Sequence, residues 1–430
     1  MLEKLLSNLA TPRFGREYIG GTLPGLQSIP MPQKVTLLLN GSANPKEQLL
    51  IKEGDAVNTG QKLSLSEERE ENGAYVISSV TGTISAIYPF TGDFGRTYTA
   101  IDIDTATTET RDEQFNSLKE DPTLETAIAY LSGLPGNPPL ALFSNAEKPI
   151  RTIIINGLDN DLLVATNQYF VVTEMDNIKT GVEILRKITA VDRIIIVVPR
   201  DYVSGIGEIE ADIAAVDAQY PEILPHNIIR HILGQEVPAG KNFEDLGIAF
   251  FSAEAVASIG EAFESGEIPV TKTLTFIDKR GERTLVEAKI GTPIGDVFKT
   301  YSISPKDKDR LIIGGPMRGS CIYSENHPVL PDTDALFVQD ESDIARVSDY
   351  PCINCGECVR ICPARISVNM LIRFLEAGQY ESAADQYDLY SCIECGLCSF
   401  VCVSKIPIFQ YIRLAKYELS RMNTAEATNG

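Results

Sequence analysis

The sequence predicts a multidomain chain of mixed α/β and α+β class. Three observations carry that expectation. At 430 residues the chain exceeds one ordinary domain and suggests three or four. Between about 122 and 278, helical stretches alternate with short, continuously apolar ones. Eight of the nine cysteines fall between Cys352 and Cys402, in two copies of one spacing.

Composition narrows the class. Hydrophobic residues are 43% and charged residues 23%, close to globular averages, which excludes disordered and collagen-like chains. The run IIIVV at 194–198 is typical of the longest apolar runs, far short of the ~18 residues of a spanning helix. The opening MLEKLLSNLATPRFG lacks an apolar core of signal-peptide length, so no secretion is expected. The formal charge of −21 has the wrong sign for a nucleic-acid binder. The acidity is uneven. From Arg346 onward 8 basic and 9 acidic residues give −1, whereas the preceding 30 basic and 50 acidic residues give −20.

After an N-terminal extension (1–33), residues 34–121 look all-β. Short alternating runs flank the turn signals Gly54-Asp55 and Thr81-Gly82. This pattern resembles the barrel-sandwich fold of lipoyl and biotinyl carriers. No lysine-tipped hairpin is present, however, and the tip EEREENG is acidic, so a scaffold without a swinging arm is expected.

Residues 122–278 should form an α/β layer. Strands are expected at RTIIINGL, RIIIVVP and GIAFFSA, and helices near 124–131, 173–188, 208–218, 223–233 and 253–263. Continuous apolar strands suit a mostly parallel sheet covered on both faces. Such sheets bind nucleotides at strand carboxyl ends, through a glycine-rich loop. The candidate, SGLPGNPPL at 132–140, offers only Gly133 and Gly136 and has three prolines that lack an N–H. Residues 279–340 contain LVEAKIGTPIGDVF and RLIIGGPMRG. The glycines Gly314, Gly315 and Gly319 read as a tight bend in a small β-grasp-like fold, with phosphate binding as the alternative.

The cysteines of 341–430 carry the most specific signal. They read C-x2-C-x2-C-x3-C-P from Cys352 and C-x2-C-x2-C-x3-C from Cys392. A disulfide framework suits small secreted chains, and zinc sites pair two C-x2-C units, so neither matches three cysteines in quick succession with a fourth nearby. The spacing is that of a protein with two [4Fe–4S] clusters, in which the fourth cysteine of each motif serves the other cube. Cluster 1 is expected on Cys352, Cys355, Cys358 and Cys402, and cluster 2 on Cys392, Cys395, Cys398 and Cys362. Gly356 and Gly396 should let each loop curl against its cube. A helix is expected between the motifs (369–387) and another after them (406–422), which makes this a helical dicluster module. Cys321, alone beyond the glycine-rich bend, is expected to be a buried packing residue. His226, His231 and His327 show no ligand spacing.

Taken in order, these units resemble the RnfC family, a component of the Rnf ferredoxin–NAD oxidoreductase. That family is related to the NqrA component of the sodium-pumping NADH–quinone reductase and to the flavoprotein of complex I. The stretches that carry the likeness are RFGREYIGGTLPG, VTLLLNGSANPKEQLLIKEGDAVNTGQKL, SSVTGTISAI, IIING, GQEVPAG, IGTPIGDV, IIGGPM and both cysteine motifs. The resemblance implies a barrel-sandwich hybrid, a Rossmann-like α/β domain, an SLBB-type β-grasp domain and a helical dicluster ferredoxin domain. It also implies a nucleotide site at Gly133, Gly136, Asn156 and Gly157. Three family elements are altered there: the glycine-rich loop reads GLPGNPP, the Glu-Cys-Glu-Pro-Tyr stretch reads LDNDLL, and Tyr220-Pro221-Glu222-Ile223 lacks its glycine.

The expectation that follows is a subunit relaying single electrons through two [4Fe–4S] clusters, without FMN or NADH. Its partners would be other subunits of a membrane-bound redox complex, with a ferredoxin or a dehydrogenase as electron donor or acceptor. It would sit in the cytoplasm, peripheral on the inner face of the cell membrane. Two alternatives stand beside it. One is an NADH-oxidising flavoprotein in which Asp159, Asn160 and Asp161 are rebuilt flavin or ribose contacts. The other is a quinone-facing or structural component.

Overall fold

The computed structural model describes residues 23–41, 50–66, 75–92, 95–117, 119–344, 347–348 and 350–429. The acidic tip EEREENG and most of the N-terminal extension lie outside them.

Among the described residues, the first unit is a four-stranded antiparallel sheet. Lys34–Asn40 pairs with Thr97–Thr105, which pairs with Gly82–Thr91, which pairs with Ala56–Val57. A two-stranded ribbon of Lys62–Leu63 and Val76–Ile77 stands beside it. Alternate residues Val35, Leu37, Leu39, Ile101 and Ile103 point into one core, as period-2 patterning requires.

The α/β unit has four parallel strands in the order Asp212–Val216, Arg193–Pro199, Thr152–Asn156, Ile248–Ser252. Alternation splits the central strands between two cores. Ile153, Ile155, Ile194 and Ile196 face the helices Met175–Thr189 and Ala253–Ser265. Ile154, Ile195 and Val197 face the helix Pro225–Leu233, and the same core contains Ile361, Cys395 and Leu397 of the cysteine-rich module. The unit that carries the clustered thiols is thus continuous with the sheet through a shared apolar core.

Two sequence expectations change here. The segment 208–218, expected as a helix from its Ala and Glu content, is the edge strand Asp212–Val216. Pairing with Arg193–Pro199 overrides a weak local helix preference. The helix expected at 173–188 is present as Met175–Thr189, and a further helix, Thr166–Thr173, precedes it. The helix expected at 369–387 is broken at Gly378 (φ 68°), which separates Val368–Glu376 from Tyr380–Gln386.

The third sheet is six-stranded and takes in more of the chain than 279–340. Its order is Leu26–Ser28, Arg283–Lys289, Thr271–Ile277, Ala335–Gln339, Arg310–Ile313, Ser320–Ile322. Helix Ile294–Thr300 packs its Ile294, Val297 and Phe298 against this sheet. A buried polar seam ties this sheet to the α/β unit. Lys272, fully buried, pairs with the buried carboxylate of Glu254 and lies 3.3 Å from Asp334. Thr166 donates to the Asp334 carbonyl at 2.7 Å, and Thr275 accepts from the Ala165 amide at 3.0 Å. The last unit is helical. Leu371, Ile372, Leu375, Ile408, Ile412 and Leu419 bury one core that includes Cys358 and Cys398.

Candidate metal centre

The two cysteine loops share one backbone conformation. Asn354 (φ 59°) and Gly356 (φ 78°) are left-handed in the first, as are Glu394 (φ 54°) and Gly396 (φ 72°) in the second. Each loop then enters one short helix, Glu357–Ile361 or Leu397–Phe400. Each ends in a further left-handed residue three places after its fourth cysteine, Arg365 and Lys405, both at φ 55°. Two left-handed residues flanking the middle cysteine curl the chain so that three thiols face one side.

The structure places Cys402 with the first three cysteines and Cys362 with the second three. Burial pushes the Cys358 thiol up to about 11, and the nearby thiols of Cys352, Cys355 and Cys402 add to it. Burial likewise pushes Cys395 up to about 12, aided by Cys392 and Cys362. Cys398 is raised well above its ordinary value by burial and by Cys392, Cys395 and Cys362. Cys362, Cys392, Cys395 and Cys398 line one enclosed cavity whose other walls include Ile366, Leu371, Phe409 and Ile412. Backbone amides already point at sulfur: Glu394 donates to Cys392 Sγ and Ile406 to Cys402 Sγ, both at 3.4 Å. All nine cysteines are free of disulfides. Among the described residues, no three His, Cys, Asp or Glu side chains gather as ligands of a single metal ion. Two groups of four thiols, the second around a lined cavity and each with an amide donor on one sulfur, fit iron–sulfur cubes in number and hydrogen bonding.

The second loop is held from three directions. Lys416, on helix Ile408–Asn429, donates to the Cys392 carbonyl and to Glu394 Oε1, both at 2.8 Å. Arg318 Nε donates to the Glu394 carbonyl at 3.2 Å. Tyr220 donates its hydroxyl to the Cys395 carbonyl at 2.5 Å. A Cβ on Gly396 would lie 2.5 Å from the Met317 carbonyl, so only glycine lets the 314–319 bend reach this loop. That bend is therefore a docking element for the second motif. Sequence reasoning singled out its glycines but missed Arg318, Lys416 and the role of Tyr220. Nothing in their spacing signals a tertiary contact.

The expected nucleotide elements are occupied by the protein itself. Gly136 packs on the start of helix Ala253–Ser265, where an added Cβ would meet the Ala255 amide at 2.4 Å. That amide donates to Ser252 Oγ at 3.0 Å, the Glu254 amide faces Asn167 Oδ1 at 3.5 Å, and the Glu254 carboxylate is buried beside Lys272. Gly133 only abuts Ile77. Asn156 accepts from the Leu158 amide at 3.1 Å and donates to Asn160 Oδ1 at 3.1 Å, and Gly157 is pressed against Val171 and the Val197 carbonyl. A phosphate would need free converging amides at this strand-to-helix turn, where the Glu254 and Ala255 amides already face internal acceptors.

Asp159 and Asp161, expected on one alternative to touch a flavin, are internal anchors. Asp159 accepts from the Asn167 amide at 2.8 Å and from Gln168 Nε2 at 2.9 Å. Asp161 accepts the amides of Leu162 (2.7 Å), Met317 (3.0 Å) and Arg318 (2.7 Å). Burial pushes both carboxyls up to about 6 against these donors. Cys321, expected to be buried, is exposed on the edge strand Ser320–Ile322. His226 lines a cleft with Lys241, Tyr390 and Lys416, and burial lowers its imidazole to about 4. His231 pairs with Glu222 at 2.5 Å.

Comparison with known proteins places an iron–sulfur domain over the two cysteine motifs. Residues 23–108 match the RnfC barrel sandwich hybrid domain, and 351–406 match a 4Fe-4S dicluster domain. The RnfC component of the ion-translocating oxidoreductase complex of Rhodobacter capsulatus is 24% identical over 384 residues, covering 84% of this chain and 73% of that protein. Over most of its length the chain is similar to RnfC proteins. The Yersinia pestis protein of the same name is 25% identical over 427 residues, 94% of this chain and 68% of its own length. The chain spans about half of the Pseudomonas aeruginosa member, at 48%. Residues 133–261 match the Nuo51 FMN-binding domain, which stands against the expectation that no FMN is held. A solved structure of an NAD+-reducing [NiFe]-hydrogenase is 13% identical, covering 70% of this chain and 65% of its own, with a TM-score of 0.47.

The Asp161 anchor is testable. Asp161→Ala strands three amides, one buried and two part-buried, and a buried one costs about 1–3 kcal/mol when unsatisfied. It should lower the urea midpoint markedly and expose the 314–319 bend to limited proteolysis. A midpoint and cleavage pattern like those of the unaltered protein would show that this carboxylate does not hold the bend.

Proposed function

We propose that the chain is the iron–sulfur electron-transfer subunit of a membrane-associated Rnf-like redox complex, with Cys352, Cys355, Cys358 and Cys402 holding one [4Fe–4S] cluster and Cys392, Cys395, Cys398 and Cys362 the other. The observation that carries this reading is the gathering of the thiols across the two motifs. Such a cube takes up and releases one electron at a time. The chain's own residues do the rest. The apolar walls from Ile366 to Ile412 keep water from the second site. The amides of Glu394 and Ile406 favour thiolate over thiol. Cys355 is exposed and Cys395 buried, so the first site is the end that meets another protein and the second is the interior end. Among the described residues no helix is long and apolar enough to cross a membrane. Attachment through other subunits, on the cytoplasmic face of the cell membrane, fits that fact. The donor or acceptor would be a ferredoxin or a dehydrogenase.

The finer architecture follows the same reading. The parallel sheet within 122–278 is a Rossmann-like domain, and the six-stranded sheet is built around an SLBB-type β-grasp domain at 279–340. The barrel-sandwich spans 34–121 and the dicluster module 341–430.

Anaerobically prepared protein should contain about eight iron and eight sulfide per chain, the content of two cubes held by four thiolates each. Cys402→Ser should alter the same spectral component as Cys355→Ser. Should it instead reproduce Cys395→Ser, each motif feeds its own cluster.

A second reading, an FMN-holding and NADH-oxidising protein, draws on the FMN-binding domain match at 133–261. Our reading is that this chain keeps that fold without the flavin. A charge-assisted amide bond is worth roughly 1.5–3 kcal/mol. Two or three such donors committed within the protein lower phosphate affinity by several orders of magnitude, at about tenfold per 1.4 kcal/mol. Calorimetric titration with FMN and with NADH should show no binding tighter than the millimolar range. Micromolar binding of either would favour the second reading.

A further inference from the structure

The two cysteine loops share a backbone but not an electrostatic setting. Lys416 reaches the Cys392 carbonyl at 2.8 Å, Arg318 the Glu394 carbonyl at 3.2 Å and Tyr220 the Cys395 carbonyl. Three neighbouring carbonyls of the second loop thus each receive a donor from a different element, and two of the donors are cations. The corresponding contacts on the first loop are weaker. Asn354, in the place of Glu394, accepts from neutral Asn369 Nδ2 at 2.7 Å. The Cys355 carbonyl accepts from Arg360 at 3.2 Å, an arginine whose side chain is half exposed and paired with Glu357 of its own helix. Lys416 is only 22% exposed, so water screens it less.

We propose that Lys416, Arg318 and Tyr220 are positioning residues that raise the reduction potential of the cluster held by the second loop, an inference that rests on the cluster reading above. A cube with four thiolates is an anion, and its reduction adds a further negative charge. Fixed cations held against the backbone carbonyls of the ligand loop would favour the more negative form. Donors on the loop carbonyls act in the same sense by drawing electron density away from the cysteine backbone. The Glu394 carboxylate, 2.8 Å from Lys416, offsets part of that cation's effect. The Asp161 carboxylate, which faces the Arg318 backbone amide, does the same in part for Arg318. Arg318 belongs to the 314–319 bend and Tyr220 to the α/β unit. The packing of those units on the module therefore sets an electronic property of the second cluster.

The test is a redox titration of the anaerobic holoprotein followed by electron paramagnetic resonance. Lys416→Met and Arg318→Met should each move the midpoint potential of one cluster to a more negative value and leave the other in place. Tyr220→Phe should give a smaller shift in the same direction. Lys416→Arg should keep the original potential, and all variants should keep about eight iron, as two intact cubes require. Full iron content with both midpoints unmoved would overturn the proposal. So would loss of half the iron in the Met variants and in Lys416→Arg alike, which would make these residues assembly supports only. An unaltered protein without iron–sulfur signals would remove the cluster reading itself, and the proposal with it.

Discussion

The constraint on which the rest of the structure depends is that eight thiols must meet in two groups of four, each group drawn from both loops. A single loop can aim three cysteines at one side because its middle cysteine lies between left-handed residues, Asn354 and Gly356 or Glu394 and Gly396. It cannot supply the fourth from the same turn, since the short helix that follows carries Cys362 or Cys402 away. Each fourth cysteine therefore lies beside the other loop, and the two loops close on one another. The helices Val368–Glu376 and Ile408–Asn429 bury the core that fixes this crossing.

That crossing is not insulated from the rest of the chain. Leu397 and Cys395 sit in the same apolar core as Ile154 and Val197 of the parallel sheet. The 314–319 bend touches Gly396 on one side and hangs from Asp161 on the other. The three donors that converge on the second loop come from the α/β unit, the six-stranded sheet and the last helix. A buried carboxylate with three amide donors is expensive to desolvate, and its position between the sheet and the cysteine loop explains why it is there. The same LDNDLL stretch that departs from the family pattern supplies that anchor, so the departure has a structural use in this chain.

Much of this was legible in the sequence because the signals are local. Cysteine spacing, the glycine after each middle cysteine, and continuous apolar strands such as RIIIVVP depend on neighbours in the chain. The failures arise where distant contacts decide. The segment containing Asp212–Val216 has helix-favouring residues, and only its pairing with Arg193–Pro199 makes it a strand. Strand Thr271–Ile277 follows the α/β unit in sequence but joins the other sheet, between Arg283–Lys289 and Ala335–Gln339. Arg318 and Lys416 lie far apart in sequence and meet over one loop, which no local pattern encodes. Cys321 looked like a packing residue because lone cysteines usually are, yet it stands on a sheet edge with one face open.

The turn at Ser252 lies within the stretch that matches an FMN-binding domain. At the N-terminus of helix Ala253–Ser265 the Ala255 amide donates to Ser252 Oγ and the Glu254 amide faces Asn167 Oδ1, while the Ser252 hydroxyl donates to the Gly136 carbonyl and the Glu254 carboxylate pairs with Lys272. What persists is the scaffold that positions the second cysteine loop. The most direct test of the central claim is an anaerobic crystal structure with iron anomalous scattering. Two iron clusters are expected, one bonded to Cys352, Cys355, Cys358 and Cys402 and the other to Cys392, Cys395, Cys398 and Cys362. Clusters bonded to the four cysteines of a single motif, or a lone metal ion between two C-x2-C pairs, would contradict it.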